Sequence, residues 1–294
     1  MQEVKTSVRE NALGKKPESP AAQGVGLHTD WTGEDTRRSM VEPRSVQPGC
    51  VEPRKHGWAS RLRSYLIFDP LIWTYTVVLG FISVPASWFG NRERILHGFA
   101  RVWTKCIMAT IVSPVKVTGI DKIDTSKTYV YAVTHASALD IPVLYANLPF
   151  QFRIVFKKEL LSYPLIGGHL RRSGQVCINQ QTPTRSIADI RSAVKSLKAG
   201  MPLVIFPEGG RTPDGEIKPF LPGAFYLAIK AQVDIVPVAL VGTFELLPMN
   251  TYHIKSRPLE MRVGQPISTA GYGAREMEQL SARVKKAMEE LYYA

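Results

Sequence analysis

The pattern of apolar and polar positions divides the chain into three stretches. Residues 1–57 show no apolar period, are rich in Pro, Gly, Ser and Thr, and repeat only Val-Glu-Pro-Arg, at 41–44 and 51–54. Such a segment has little apolar surface to bury and too short a repeat to stack, which predicts a disordered tail. Residues 70–90 are then a run of 21 positions without a charge, flanked by Asp69 and Arg92. A helix of that length spans roughly 31 Å, close to the hydrocarbon core of a bilayer. Trp73, Tyr75, Trp88 and Phe89 stand near its ends, where aromatic rings favour a lipid–water boundary. The plainer alternative is a helix buried in a soluble core. The run lies too far into the chain for an ordinary signal peptide.

Residues 92–112 carry a helical period. Arg94, His97, Arg101 and Lys105 fall on one face, and Ile95, Phe99, Val102, Trp103, Cys106 and Ile107 fill the opposite one. A basic amphipathic helix with aromatic residues lies well on an anionic lipid surface, although a helix packed on a core shows the same pattern. Basic residues before the uncharged run (Arg54, Lys55, Arg61, Arg63) balance those after it (Arg92, Arg94, Arg101, Lys105), so charge does not orient it. That balance suits a hairpin dipping into one leaflet as well as a true span.

From Val115 onward, short apolar runs alternate with helical stretches. Runs at 115–117, 129–133, 152–156, 175–178, 203–206 and 235–241 predict strands, and 140–147, 186–199, 224–231 and 275–292 predict helices. Met277, Leu280, Val284, Met288 and Leu291 form a stripe on the last helix that reads as core packing. The alternation predicts an α/β domain at 113–294 with a mixed, largely buried sheet flanked by helices. A membrane-associated helical pair at 58–112 and the disordered tail at 1–57 precede it.

Composition sharpens this picture. With 45% hydrophobic residues, the chain can bury a substantial core. Its three cysteines (Cys50, Cys106, Cys177) are far apart and include no C-x-x-C pair, which excludes a disulfide scaffold and a cysteine zinc site. Lys and Arg number 37 against 25 Asp and Glu, a net +12. Residues 1–57 hold nine basic and eight acidic side chains, so +11 of that charge lies beyond them. The excess implies an anionic partner: nucleic acid, a lipid surface or a phosphorylated substrate. No basic-aromatic nucleic-acid module is visible, and the basic residues around the uncharged run sit better against lipid headgroups.

Two polar clusters follow β-like runs. His135 comes directly after 129–133, and Asp140 lies five positions on, before Ile141-Pro142. In one continuous helix the two would stand about 140° apart and could not meet. They meet if His135 sits on the loop leaving the strand and Asp140 opens the next helix, where Pro142 is tolerated in the first turn. A carboxylate on one imidazole nitrogen fixes the tautomer and leaves the other as a base, which is half of an acyl-transfer apparatus. Equally, Ser137-Ala-Leu-Asp140 matches a helix capping box, and His135 can be a satisfied core histidine. The second cluster is Phe206-Pro-Glu-Gly-Gly-Arg-Thr212. Gly209 and Gly210 let backbone approach a ligand, and their amides can join Arg211 in holding a phosphate. Glu208 can accept from a substrate hydroxyl or orient a neighbouring base. A plain strand-to-loop turn explains the glycines but not Pro-Glu followed by Arg.

The order H-x4-D (His135–Asp140), F-P-E-G-x-R (Phe206–Arg211) and Val236-Pro-Val238 resembles the glycerophospholipid acyltransferases. It looks closest to the bacterial 1-acyl-sn-glycerol-3-phosphate (lysophosphatidate) acyltransferases, over roughly residues 65–265. The resemblance implies direct transfer of a fatty acyl group from acyl-CoA or acyl carrier protein to the sn-2 hydroxyl of 1-acyl-glycerol-3-phosphate, giving phosphatidate. It implies His135 as general base and Asp140 as its orienting carboxylate. Gly209, Gly210 and Arg211 would hold the acceptor phosphate, Glu208 the glycerol part, and Lys157 a second positive charge, with Lys158 as substitute. No cofactor, metal or acyl-enzyme nucleophile is implied. The expected location is the cytoplasmic (inner) membrane, with the catalytic domain on the cytoplasmic side and membrane phospholipid and lysophospholipid as partners.

The chain departs from that family at Gly174-Gln-Val-Cys-Ile-Asn179-Gln180, where the family usually carries Asp-Arg at the last two positions. Gln180 forfeits a charge-assisted phosphate contact worth roughly 1.5–3 kcal/mol. Either Arg171, Arg172 or Arg185 compensates, or the acceptor is another lyso-lipid, such as a lyso amino-acid lipid. Thr134 replaces the usual Asn before the histidine, and Gly210 replaces a common Thr. A G-x-S-x-G elbow, a G-x4-G-K-[ST] loop and an H-E-x-x-H metal motif are all missing. The remaining alternative is a non-catalytic phospholipid-binding membrane protein on the same fold.

Overall fold

A computed structural model describes residues 57–163, 165–178, 183–221 and 223–294. The expected tail at 1–57, apart from its last residue, and the Asn179-Gln180 departure lie outside the described residues, as does the side chain of Arg185.

The uncharged run forms the greater part of one helix, Trp58–Ala86, of 29 residues. It comprises α1 (Trp58–Arg63), a π turn (Ser64–Phe68) and α2 (Asp69–Ala86). Among the described residues it is the one helix long and apolar enough to cross a membrane, and little of it is buried. Trp58, Leu66, Trp73 and Phe81 face outward at 65–78% exposure. Its other side is tied down along its length. Ser60 Oγ lies 3.0 Å from His253 Nε2, and Ser64 Oγ, itself donating to the Tyr252 carbonyl, accepts from the Ile254 amide.

Gly90, at φ +120°, turns the chain into α3 (Arg92–Thr110), which Asn91 caps by accepting from the Arg94 amide at 3.1 Å. The Trp103 indole N–H of α3 donates to Thr76 Oγ1 at 3.0 Å, and Thr110 donates to the Tyr75 hydroxyl at 3.3 Å. The sequence placed His97 on an outward basic face with Arg94, Arg101 and Lys105. The structure instead buries it to 7% exposure, its ring 5.1 Å from those of both Tyr145 and Phe152. The reason is that α3 meets protein on two sides, α2 on one and the central core on the other, where Leu96, Ala100, Ile107 and Met108 are buried beside His97.

The domain beyond α3 is built on seven strands in the order β1-β7-β6-β2-β5-β3-β4. These are β1 (Val115–Thr118), β2 (Val130–Val133), β3 (Arg153–Lys157), β4 (Val176–Ile178), β5 (Leu203–Ile205), β6 (Ile235–Val241) and β7 (Leu259–Val263). Neighbours are parallel except β6 and β7, so the sheet is mixed, as the sequence predicts. Sequence alone misses β7, because Leu-Glu-Met-Arg-Val carries two charges in five residues. Its alternation nonetheless buries Leu259, Met261 and Val263. Pro237 falls between the Ile235–Ile267 bridge and the first β6–β7 pair, Val238–Val263, where the ladder changes partner segment.

Both faces of the sheet are covered. Tyr131 and Val133 of β2 point into a cluster shared with α3 and α4 (Asp140–Asn147). Val130 and Ala132 point into a second cluster with α6 (Pro183–Lys198), α7 (Gly223–Ala231) and α9 (Met277–Tyr292). Burial on both faces explains why the strand sequences read as unbroken apolar runs. The stripe on α9 is core, with Leu280, Val284 and Met288 fully buried. A short α5 (Ile166–Arg172), also not foreseen, docks on the end of α2. There Ser83 Oγ is 3.5 Å from His169 Nδ1, Arg172 Nε donates to Ser87 Oγ at 2.9 Å, and the Arg172 guanidinium lies over the Trp88 ring.

Burial lowers both His97 and His169 to about 4, with the Arg101 charge adding to the effect at His97 and the Phe150 backbone opposing it. Their ordinary value is 6.5, so between about pH 4 and 6.5 the unfolded chain binds protons that the folded chain refuses. Stability therefore falls as pH drops through that window. Thermal melts should show the midpoint declining on acidification, with a shallower decline in His97→Phe, which keeps the ring contacts. Equal slopes in the two proteins would show that His97 does not contribute.

Candidate active site

Because β2, β5 and β3 run parallel as neighbours, their C-terminal ends open at one edge of the sheet. Ligand groups in such sheets gather on the loops beyond those ends. Thr134 closes β2 by donating its amide to the Val238 carbonyl and accepting from the Leu240 amide at its hydroxyl. His135 follows on the loop, and Asp140 is the first residue of α4, with Pro142 in the first turn. The arrangement the H-x4-D spacing called for is therefore present. His135 Nδ1 lies 2.9 Å from Asp140 Oδ2.

Asp140 is fully buried, and the same Oδ2 accepts from the amides of Ala136 at 2.8 Å and Ser137 at 2.9 Å. Only half of the capping box forms. Asp140 takes the Ser137 amide, but Ser137 Oγ accepts from the Leu139 amide rather than from that of Asp140 and donates to the Leu247 carbonyl, and α4 starts after Leu139 without a side-chain cap. One carboxylate both shapes the loop and orients the imidazole. An acceptor on Nδ1 leaves that nitrogen as the N–H donor and Nε2 as the free base. The His135 side chain is 17% exposed, and its ring stacks on Phe206 with centroids 4.0 Å apart.

Of the two roles the sequence left open for Glu208, its contacts match the orienting of a neighbouring residue, through the His135 main chain. Glu208 is 8% exposed, and both of its oxygens are engaged by backbone. Oε1 accepts from the His135 amide at 2.8 Å and Oε2 from the Lys218 amide at 3.2 Å. Burial raises its pKa, with the two amides pulling the other way. The Thr212 amide in turn donates to the His135 carbonyl at 2.9 Å. Both backbone polar groups of His135 are thus held by the 206–212 loop.

That loop turns at Gly209, whose φ of +69° is strained for any side chain, and a Cβ there would stand 2.2 Å from Leu221 Cδ1. A Cβ on Gly210 would lie 3.7 Å from Lys157 Nζ, which places the lysine at the end of β3 beside the glycine loop. The Arg211 carbonyl accepts from Lys218 Nζ at 2.6 Å. Among the described residues, neither the Arg211 guanidinium nor the Lys157 ammonium has a hydrogen-bond or ion-pair partner. Two uncommitted cations beside an open glycine backbone are what an oxyanion ligand requires.

The structure therefore brings His135, Asp140, Glu208, Gly209, Gly210, Arg211 and Lys157 to one sheet edge. Lys158 is exposed next to Lys157. Two of the three proposed compensating arginines are engaged elsewhere, Arg172 on Ser87 and Arg171 on the Leu161 carbonyl. Sequence reasoning missed Phe206 as the stacking partner of His135. It also missed Lys218 and Thr212 as loop ties, which no local pattern marks. No cluster of three or more His, Cys, Asp or Glu among the described residues stands ready to hold a metal.

Residues 114–241 match the family model described as Acyltransferase. The chain is 26% identical over 205 residues to a 1-acyl-sn-glycerol-3-phosphate acyltransferase of Cocos nucifera, covering 69% of this chain and 64% of that one. It is 29% identical over 235 residues to the chloroplastic LPAT1 of Arabidopsis thaliana, another 1-acyl-sn-glycerol-3-phosphate acyltransferase, covering 78% and 63%. The chain thus spans a little under two thirds of the length of these curated relatives. The crystal structure of the 1-acyl-sn-glycerophosphate acyltransferase of Thermotoga maritima shares the fold. It superposes with a TM-score of 0.68 at 22% identity over 79% of this chain and 95% of that one.

A Glu208→Gln side chain can satisfy one of the two amides but sets its own –NH2 against the other. Leaving one buried donor unpaired costs about 1–3 kcal/mol. Denaturant titration of Glu208→Gln should show a loss of that size. A variant as stable as wild type would mean that Glu208 does not tie the loops.

Proposed function

We propose that this chain, whose residues 114–241 match the family model described as Acyltransferase, moves a fatty acyl group from an acyl thioester to the free hydroxyl of 1-acyl-glycerol-3-phosphate, giving phosphatidate. The observation that carries this reading is the His135–Asp140 pair at 2.9 Å beside the two uncommitted cations of Lys157 and Arg211. The names of the relatives support the choice of acceptor.

His135 Nε2 takes the proton of the glycerol hydroxyl as its oxygen attacks the thioester carbonyl carbon. The tetrahedral intermediate collapses with cleavage of the carbon–sulfur bond. The departing thiolate recovers the proton from the imidazolium. Asp140, buried and bonded to Nδ1, stabilises that imidazolium and holds the ring, and the Phe206 face beneath it limits tilting. Arg211, Lys157 and the Gly209–Gly210 backbone bind the acceptor phosphate. Glu208 acts one step back by fixing the His135 main chain rather than by touching glycerol. The thioester is acyl-CoA or acyl-carrier protein, and no cofactor or metal takes part.

The acceptor is a membrane lipid, and the long helix Trp58–Ala86 suits delivery from one leaflet. It is tied to the domain near both ends, at Ser60 and Ser64 by His253 and Ile254 and at Ser83 by His169, and in its middle to α3 at Tyr75 and Thr76, while its outward side is apolar. A helix held at both ends by a domain lies in the interface with it rather than crossing away from it. On this reading the 58–112 segment lies on the cytoplasmic face of the membrane, where acyl thioesters are present, with the 113–294 domain against it.

The test is CoA release in detergent from an acyl-CoA, with lysophosphatidate and other lyso-lipids as parallel acceptors. Release with lysophosphatidate should fall by about 10²–10⁴ in His135→Ala, while binding to vesicles survives. Arg211→Ala should raise KM for lysophosphatidate by about 10–100-fold, the worth of a charge-assisted contact. Turnover with another lyso-lipid alone would move the acceptor. Silence with every acceptor and with both acyl-CoA and acyl-carrier donors would overturn the enzyme reading in favour of phospholipid binding.

A further inference from the structure

The loop that carries Arg211 closes on itself between Glu208 and Lys218. Glu208 Oε2 accepts from the Lys218 amide, and Lys218 Nζ donates to the Arg211 carbonyl. Its tip is an Asx turn in which Asp214 Oδ1 accepts from Thr212 Oγ1 at 2.5 Å and from the Glu216 amide at 3.0 Å. Nothing within the loop fixes that tip against the rest of the molecule.

Two distant elements do so. Gly215, at φ +89°, is pressed on the Phe244 ring of α8 (Thr243–Leu246), where an added Cβ would stand 3.0 Å from Phe244 Cδ1. The Leu247 carbonyl just beyond α8 accepts from Ser137, so the same short helix also touches the His135 loop. From the other side, the end of α9 reaches over. The Tyr292 hydroxyl donates to the Gly215 carbonyl at 3.0 Å, and the Tyr293 hydroxyl donates to Glu216. The end of α9 is held in turn by Arg262 of β7, which donates to the Leu291 carbonyl at 2.7 Å. Burial, with Glu245, Tyr293, Asp140 and Glu216 nearby, pushes the Tyr292 phenol up, so it stays a protonated donor at neutral pH.

We infer that Tyr292 is a positioning residue for the acceptor site, clamping the tip of the 208–218 loop against α8 so that Arg211 is presented to the acceptor phosphate in one geometry. This rests on the reading that Arg211 binds that phosphate. Removing the Tyr292 hydroxyl leaves the α9 core stripe and the His135–Asp140 pair intact. The effect therefore falls on acceptor binding and on loop order, not on the chemical step.

The experiment uses the full chain in detergent, wild type against Tyr292→Phe. Acceptor and donor KM, kcat and backbone hydrogen exchange over 212–218 are measured for each. The clamp predicts a rise of about three- to tenfold in lysophosphatidate KM, the worth of one hydrogen bond, with donor KM and kcat within about twofold. It also predicts faster exchange at the Thr212, Glu216 and Lys218 amides, with the effect enlarged in Tyr292→Ala. A fall in kcat with both KM values unchanged would overturn the inference, since that is the mark of partial unfolding. Unchanged exchange would overturn it as well. If wild type fails to use lysophosphatidate, the proposed activity fails, and the exchange data alone decide the clamp.

Discussion

Two carboxylates are buried at the centre of this protein without a lysine or arginine to neutralise them. Asp140 and Glu208 instead take their hydrogen bonds from backbone amides, those of Ala136 and Ser137 for the first and of His135 and Lys218 for the second. An unpaired carboxylate in such surroundings would cost several kcal/mol, so the chain must bring those amides into place or fail to fold around the acids. The constraint acts on two loops at once. The His135 loop wraps Asp140, and Glu208 staples that wrapped loop to the one that follows β5. The His135–Asp140 geometry results because three of the four amides that the acids accept from belong to His135, Ala136 and Ser137.

The sheet makes this economical. Parallel neighbours β2, β5 and β3 end together, so loops far apart in sequence emerge side by side, and α8 and α9 close in from β6 and β7. Cations are then free for a ligand. Asp140 and Glu208 are held by amides and by His135, and among the described residues no carboxylate pairs with Arg211 or Lys157. The Arg211 backbone is rigid through Lys218 while its guanidinium stays uncommitted. Rigid backbone with an unspent charge is the condition for binding an anion at little reorganisation cost.

What sequence reveals here follows the range of the interaction. His135 and Asp140 were legible because the five-residue spacing, the strand before and the proline after admit one geometry in which they meet. Six of the strands and the four long helices of the α/β domain were legible because both faces of the sheet are buried, which writes the strands as continuous apolar runs. β7 was not, because its outward positions, Glu260 and Arg262, break such a run. His97 was misplaced because helical period separates two faces, whereas α3 packs against protein on two sides. Which of its two open roles Glu208 takes was hidden for another reason. Its partners are main-chain amides, which every residue has, so no side-chain pattern distinguishes a carboxylate bound to a loop from one awaiting substrate. Tyr292 and Gly215 stand 77 residues apart and leave no local mark.

The long helix near the start of the chain carries a consequence for biogenesis. Ser60 waits 193 residues for His253, and Ser83 and Ser87 wait 86 and 85 residues for His169 and Arg172. At ribosomal speeds of about 5–20 residues per second, Ser60 is without its partner for roughly ten seconds or more. During that interval α3 and α5 reach the helix first, through contacts 27, 35 and 86 residues on, so its start is the last part to be covered. A lipid surface that takes up the apolar outward side also shelters that uncovered start, and synthesis away from a membrane leaves it to whatever apolar surface it meets first.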